Sequence, residues 1–417
     1  MAKLTSYSKT LRSGVVARYH RVRFYNDEKG EPDTKDFSTK RDALAFLKKV
    51  DQGIADEPVV EQQQSMPVKE AADQFIVECR NGRDGRVPLE PTTIDDYLQK
   101  FARAKDRDWW SLPLNEVTKQ HGREFRDYLL NERGLARSTT RNTINMMRTL
   151  FTWAIDEEHY VGANPWKTII VAKDKRANED GPILRSDIHT RNEAAKIFAR
   201  LDDLVESDNK NSVRAWTKYR AMISLAFMCG PRLSEIRGLP RSMVNLDKAI
   251  LTIQWRADRN GVVGRLKSGH GYREIPIPPR AIIALKAWFA ILDAEEGRLT
   301  PADRKRRLLD LPDLPFDGGL AFPELSGGVM DPQNFGRNGW RKLFAGAGLR
   351  YRNFHATRHF FASGLIAGGV NLKDLCYMMG HHDEAFTLHR YGKLMFDETD
   401  QDRRRNAVVS AAEALDV

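Results

Sequence analysis

The chain is poor in cysteine: 3 in 417 residues, Cys79, Cys229 and Cys376. They are far apart, odd in number and form no CxxC pair, which argues against a disulfide framework and against a cysteine-based zinc site. Long apolar runs are also missing. The richest, Ala281 to Leu292, is interrupted by Lys286 and is too short to span a bilayer. The opening stretch, MAKLTSYSKT, has no apolar core of the signal-peptide kind. There is no GxxxxGK loop to cradle a nucleotide, and no Asp/Glu cluster or Cys/His spacing that suggests a metal. The expectation is a soluble, cytoplasmic protein with no membrane partner and no cofactor.

What is abundant is positive charge: 67 Lys plus Arg against 57 Asp plus Glu, a formal +10. An excess of that sign favours a polyanionic partner such as nucleic acid. Hydrophobic residues make up 41% of the chain, enough to bury a core in each of the two or three domains that this length implies at roughly 150 residues each.

The pattern along the chain divides it into 1–52, a linker at 53–66, 67–172, a second linker at 173–186, and 187–417. Before Tyr25 there are six basic residues and no acidic one. Val16 to Tyr25 reads as a strand of aromatic, β-branched and basic residues, followed by a turn at Asn26–Gly30 and a return strand near Lys35–Ser38. Thr39 then caps a helix whose apolar stripe is Ala43, Leu44, Phe46, Leu47 and Val50. Arg18, Arg21 and Arg23 on that strand are candidates to lie in a DNA groove. Residues 67–172 read as all-helical, with starts at Thr92/Thr93, Thr118 and Ser138. Arg137, Arg141 and Arg148 fall near one another on the last of these helices, either as an ordinary solvated face or as a DNA-facing one. Beyond residue 187 a strand cluster interrupts the helices. Strands are expected at Ile250–Trp255, Val262–Leu266 and Arg273–Ile277, with a tight turn at Asn260-Gly261 and Lys267 at the tip of the second hairpin. The fold class is therefore multidomain and mainly α with small β-sheets: a β-sheet plus helix unit, a helical domain and an α+β domain.

The last region carries the chemistry. Gly230-Pro231-Arg232-Leu233-Ser234-Glu235 comes first, then Lys267, then His355-Ala356-Thr357-Arg358-His359, then Met379-Gly380-His381-His382, and finally Tyr391 ten residues after His381. Each group has a use on a DNA phosphodiester. Arg232 and Arg358 can each donate two parallel hydrogen bonds to the non-bridging oxygens and remain charged throughout. Tyr391 becomes a good nucleophile as its proton is withdrawn. His355 is a candidate proton acceptor or relay, Lys267 can protonate the departing 5′ oxygen, and His381 can hydrogen-bond the phosphate. A covalent phosphotyrosine would keep the energy of the original bond, so no ATP is required.

In these motifs residues 220–395 resemble the catalytic domain of the tyrosine recombinases, also called phage-type integrases. The matching features are Gly230-x-Arg232-x-Ser234-Glu235, Lys267 before Arg273-x-Ile275-Pro276, His355-x-x-Arg358-His359, and Met379-Gly380-His381 with nine residues between it and Tyr391. The chain departs from the family where His382 follows His381 and where Pro231 precedes Arg232. The resemblance implies that 67–172 is similar to a core-site-binding domain and 1–52 to an arm-site-binding domain. It further implies double-stranded DNA as substrate, a homotetramer on DNA, and an excisionase and a DNA-bending host protein as further partners.

Several residues keep a plainer reading beside the chemical one. Arg232 also fits an ion pair with Glu235, Lys267 a solvated turn residue, and His359 a structural bond to a backbone carbonyl. Tyr351 and Tyr377 compete with Tyr391, although Tyr377 sits in a stripe with Leu372, Leu375 and Cys376 that reads as core. At the level of function, a degenerate DNA-binding relative, a type IB topoisomerase and a dimer-resolving recombinase stand beside the integrase. A further expectation concerns the tail, where Ala407, Val408, Val409, Ala411, Ala412 and Leu415 form a stripe suited to docking on a neighbouring catalytic domain.

Overall fold

A computed structural model describes residues 3–10, 16–26, 31–37, 39–51, 65–83, 85–172, 182–266, 269–298, 300, 302, 319–395 and 409. The expectations for Lys267, for most of both linkers and for the tail stripe fall outside these residues.

The chain opens with a three-stranded antiparallel sheet in the order β1 (Lys3–Thr10), β2 (Val16–Asn26), β3 (Glu31–Phe37). Strand β1 is not evident in the sequence because its Lys, Ser and Thr residues give no apolar alternation. Strand β3 starts earlier than expected and contains Pro32, which an edge strand tolerates where the missing N–H would face away from the sheet. Helix α1 (Lys40–Asp51) follows, and Thr39 caps it as its sequence suggests: the Asp42 N–H donates to the Thr39 hydroxyl at 3.2 Å. Phe46 seals α1 to the sheet against Phe24 and Phe37, with ring centroids 5.1 and 5.3 Å away.

A helical unit comes next, built from α2 (Val68–Asn81), α3 (Pro91–Ala102), α4 (Lys119–Asp127) and α5 (Arg137–Asp156). Its core runs from Val68 to Val171 and is rich in aromatics, with Phe75, Trp109, Phe125, Phe151, Trp153 and Trp166 all buried. The Trp153 indole is satisfied by Glu78 at 2.7 Å. Two expected caps are displaced. Helix α3 begins one residue before Thr92, with Pro91 in its first turn, because the fixed φ of proline pre-forms a helix start. Helix α5 begins at Arg137, ahead of Ser138.

The third unit has its own core, from Ile183 to Tyr391. Helices α6 (Arg191–Val205), α7 (Lys210–Cys229), α8 (Leu233–Arg237) and α9 (Pro279–Gly297) surround two small sheets. The sheets are β4 (Val244–Asn245), β5 (Ile250–Ile253) and β8 (Arg273–Pro276) in the order β4-β5-β8, and β6 (Trp255–Ala257) with β7 (Val263–Arg265). Four more helices, α10 (Arg341–Gly346), α11 (Ala356–Ala367), α12 (Leu372–Met379) and α13 (Glu384–Met395), complete it.

This topology corrects the expected strand order. The single strand Ile250–Trp255 is two, parted at Gln254, because its halves take different partners: β5 pairs with β4 and β8, and β6 pairs with β7. Asn260-Gly261 does make the expected tight turn, with Gly261 at φ 84°. Strands β7 and β8 do not pair among the described residues, however: β8 lies beside β5, so the expected second hairpin between Val262–Leu266 and Arg273–Ile277 is not formed. Its neighbour Leu266 is anchored by an N–H bond to Gln254 O at 3.1 Å.

The β6–β7 hairpin also meets the helical unit. Arg256 forks onto both carboxylate oxygens of Glu90, at 2.9 and 2.8 Å, and Arg259 donates to Thr92 O at 2.7 Å beside the start of α3. Among the described residues no helix is long and apolar enough to cross a membrane.

Candidate active site

Arg232, His355, Arg358, His359, His381, Phe386, Arg390 and Tyr391 line one cavity of about 330 Å³. Five of the six expected catalytic residues therefore converge, although 159 positions separate the first from the last.

Local chain geometry delivers each of them. Helix α7 ends in Gly230, whose φ of 66° is the left-handed conformation that closes a helix C-terminus. A Cβ there would also come within 2.3 Å of the Phe361 ring. The reversal places Arg232 immediately ahead of α8. Helix α12 ends the same way, in Gly380 at φ 56°, and turns His381 inward. Arg358 lies in the first turn of α11, and Tyr391 projects from the middle of α13.

The arginines are held from behind. Arg232 Nη1 donates to Glu235 Oε1 at 2.8 Å, and the Arg232 backbone N–H donates to Glu235 Oε2, also at 2.8 Å. Glu235 is buried and bonded as well to the buried Arg273, at 2.6 and 3.3 Å. Burial works against its ionised form, but Arg273 and its neighbours prevail and hold its pKa down at about 2. The ion pair expected of Arg232 is present, and it aims a guanidinium that still faces the cavity. Arg358 is buried, and its Nη1 and Nη2 donate to Gly230 O and Met379 O. Each nitrogen keeps a second hydrogen for an anion. Burial lowers the Arg358 pKa to about 9, which leaves it a cation at neutral pH.

The imidazoles are neutral there. His381 Nδ1 bonds Thr387 Oγ1 at 2.7 Å, and its ring lies nearly parallel to that of Tyr391, 13° apart at 6.1 Å. This pairing singles out His381 rather than the exposed His382, which meets Asp383. Burial, with Arg358 and Arg232 nearby, lowers the His381 pKa to about 3. His355 stands exposed at the cavity mouth. Crowding on its inner side, with Arg358, Arg232 and Arg390 close by, lowers its pKa to about 4. Tyr391 is 1% exposed, and burial raises its pKa against the pull of Arg358 and Arg390.

Two residues enter the site in roles the sequence did not suggest. His359 does not bond a carbonyl. Its Nδ1 lies 2.9 Å from the Tyr391 hydroxyl, in a buried contact. Arg390 lines the cavity, and the only signal for it is its place beside Tyr391. The competing tyrosines lie outside the cavity. Tyr351 is 44% exposed, and Tyr377, expected in the core, is 48% exposed with its hydroxyl accepting the Glu274 N–H at 3.0 Å. Its position on α12 faces the strand β8 edge rather than the interior.

The proposed DNA-contacting arginines do not form one set. Arg21 is tied to Asp36 by bonds of 2.6 and 2.7 Å and lies over the Tyr7 ring. Arg23 is exposed, and the side chain of Arg18 lies outside the described residues. On α5, Arg137 is exposed and Arg141 half-buried, whereas Arg148 bonds Trp166 O, Ile169 O and Asn145 Oδ1 at 3.3, 3.1 and 2.6 Å. Arg148 therefore fastens the segment after α5 to that helix.

A cavity lined by three guanidiniums and neutral imidazoles is built for an anion the size of a phosphate. A tyrosine hydroxyl inside it supplies a nucleophile. Among the described residues no group of three or more His, Cys, Asp or Glu side chains converges on a metal-sized site.

Comparison with known proteins agrees with this geometry. Residues 191–398 match the model of the phage integrase family, and residues 79–174 match that of the phage integrase SAM-like domain. A tyrosine recombinase XerC-like protein of Caldanaerobacter subterraneus is 24% identical over 94% of this chain and 95% of its own. The prophage integrase IntR of Escherichia coli is 22% identical over 65% of this chain and 61% of its own. Among solved structures, the Tn1549 transposon integrase in complex with a circular intermediate DNA superposes with a TM-score of 0.61 at 19% identity, covering 82% of this chain and 100% of that one. A lambda integrase tetramer bound to a Holliday junction gives 0.54 at 15% identity, covering 90% and 96%.

Proposed function

The chain belongs to the phage integrase family of tyrosine recombinases, enzymes that cut and rejoin DNA, and from that premise we propose that it integrates and excises a mobile element such as a phage or genomic island. The observation that carries the reading is the Tyr391 hydroxyl enclosed with Arg232, Arg358 and Arg390 in one cavity. Tyr391 Oη attacks the scissile phosphorus, a bond forms to the 3′ phosphate, and the bond to the 5′ oxygen breaks. Arg232 and Arg358 hold the non-bridging oxygens, where negative charge grows. His355 and His381 flank the phosphate, and Lys267 protonates the departing 5′ oxygen. Rejoining is the same path in reverse.

The wider assembly follows from the same premise. Exchange between two duplexes cut on both strands requires four nucleophiles, hence a tetramer on double-stranded DNA, as in the lambda integrase structure on a Holliday junction. Residues 67–172 and 187–417 grip the core site, and residues 1–52 reach a separate arm site. An excisionase and a DNA-bending host protein set the direction of the reaction.

A second reading, resolution of replicon dimers, is favoured by the XerC-like relative, which aligns along nearly the whole chain. A nicked suicide duplex carrying the core site tests the chemistry. The wild-type chain is expected to form a covalent adduct at Tyr391, and Tyr391→Phe to bind the duplex without forming one. Recombination of paired attachment sites, compared with that of a single repeated site, separates integration from resolution.

A further inference from the structure

We propose that His359, rather than His355, accepts the proton of Tyr391 during strand cleavage. The inference rests on the reading of Tyr391 as nucleophile and adds to it the base that activates it.

The argument begins with which groups can accept a hydrogen. Tyr391 is buried, so its O–H must find a partner within the protein. Arg232, Arg358 and Arg390, which line the same cavity, are donors only. His381 has its Nδ1 engaged with Thr387 Oγ1. His359 Nδ1, at 2.9 Å, is the group placed to receive the phenol hydrogen. Reception requires the His359 tautomer protonated at Nε2, with Nδ1 bare. His355 is one helical turn earlier at the cavity mouth, and its ring meets the edge of His359, with centroids 4.7 Å apart and planes at 84°. It is therefore placed to pass a proton on to solvent.

The step balances. As Tyr391 Oη bonds to phosphorus, its proton moves to His359 Nδ1, giving an imidazolium. The electron pair of the breaking phosphorus–oxygen bond leaves on the 5′ oxygen, which takes a proton from Lys267. On rejoining, the 5′ hydroxyl returns its proton and attacks, and the departing phenolate recovers its own from His359. The surroundings of His359 favour this timing. Burial above all, then the neighbouring His355, Arg390, Arg358 and His381, lowers its pKa to about 3 in the DNA-free protein. A bound phosphate neutralises those guanidiniums, so the imidazole gains basicity when substrate is seated.

The test uses the full chain and a core-site duplex with a bridging 5′-phosphorothiolate, whose thiolate leaves without a general acid. His359→Asn keeps an acceptor near the Nδ1 position but cannot take up a proton. Its single-turnover adduct formation is expected to fall by ~10²–10⁴-fold with unchanged duplex binding. Its rate should then climb with pH as hydroxide replaces the missing base, and trifluorotyrosine at position 391 should recover much of the loss. His355→Asn, which removes a group beside the phosphate but not the proton acceptor, is expected to lose less of its rate on the same substrate than His359→Asn. Cleavage by His359→Asn within threefold of wild type, or a larger loss in His355→Asn, overturns the proposal. If Tyr391→Phe still forms an adduct, it is the nucleophile assignment that has failed. If His359→Asn does not fold, imidazole 15N spectra of the wild-type protein decide the matter: an Nδ1-protonated His359 overturns the proposal and an Nε2-protonated one supports it.

Discussion

Glu235 and Arg273 form an ion pair sealed inside the catalytic unit, with Arg273 Nη2 2.6 Å from Glu235 Oε2 and the two side chains 0% and 1% exposed. The other oxygen of Glu235 holds Arg232 at 2.8 Å. A charge with no access to water thus sets the direction of a guanidinium that does face the cavity. Arg273 reaches this position from β8, in the Arg273-x-Ile275-Pro276 motif, and so links two motifs 38 residues apart.

Glu235→Gln should therefore damage stability and catalysis together. Removing one partner of a buried pair typically costs about 3–5 kcal/mol, because the other charge is left uncompensated. Urea unfolding would show the loss as a lower midpoint. Glu235 also sets an acid limit. Its folded pKa of about 2 lies below the ordinary 4.5, so the stability it contributes is complete above pH 4.5 and drains away as pH falls toward 2. In the Gln variant that acid dependence should shrink.

Arg232→Lys and Arg358→Lys keep the charge and lose the planar fork. Each should bind the core-site duplex and slow adduct formation by ~10²–10³-fold, the scale for losing an aligned donor to transition-state charge. Arg358→Lys should also lower the melting temperature, because Gly230 O and Met379 O lose a donor inside the core. Normal cleavage by both variants would remove the phosphate-clamp assignment.

His189 has both ring nitrogens buried without a hydrogen-bond partner, among Phe227, Trp340 and Phe344. Burial lowers its pKa to about 4 from 6.5. A base depressed in the folded state contributes stability above pH 6.5 and loses it as pH falls through 4. His189→Phe should leave stability near pH 8 almost unchanged and flatten its decline between pH 6.5 and 4. The remaining slope belongs to His355, His359 and His381, which are shifted in the same direction. Thermal melts across that range provide the measurement.

Two arginines of α5 should part company. Arg148→Ala removes two bonds to the segment after the helix and one to Asn145 on the helix itself, and should cost about 1–3 kcal/mol of folding stability. Arg137→Ala should leave the melt unchanged and, if Arg137 meets a phosphate, reduce the salt dependence of DNA binding by about one counterion. An Arg148 variant with normal stability and weakened DNA binding would reverse this assignment.

Deleting residues 1–60 should spare adduct formation on short core-site duplexes and abolish recombination of full attachment sites. A second DNA-binding unit acts through effective concentration rather than through the catalytic contacts. Full-site recombination that survives the deletion would move the dimer-resolving reading ahead.

The residues that line the cavity were largely legible in the sequence. Gly230-x-Arg232, His355-x-x-Arg358 and Gly380-His381 with Tyr391 are short-range patterns, set by backbone reversals at Gly230 and Gly380 that any reader of helix ends can recognise. The alternation in Val16–Tyr25 and the stripe of α1 were legible for the same reason, since periodicity is a local property. Partnership was not. That Arg21 pairs with Asp36, that Arg148 serves backbone carbonyls and that β8 joins β5 instead of β7 all depend on which segments meet, and no spacing along the chain encodes that. The role of His359 belongs to the same class. In the sequence it is one more imidazole after Arg358. Only the packing of α11 against α13 brings its Nδ1 to the Tyr391 hydroxyl, because a buried phenol must share its proton with whatever acceptor the tertiary fold places beside it.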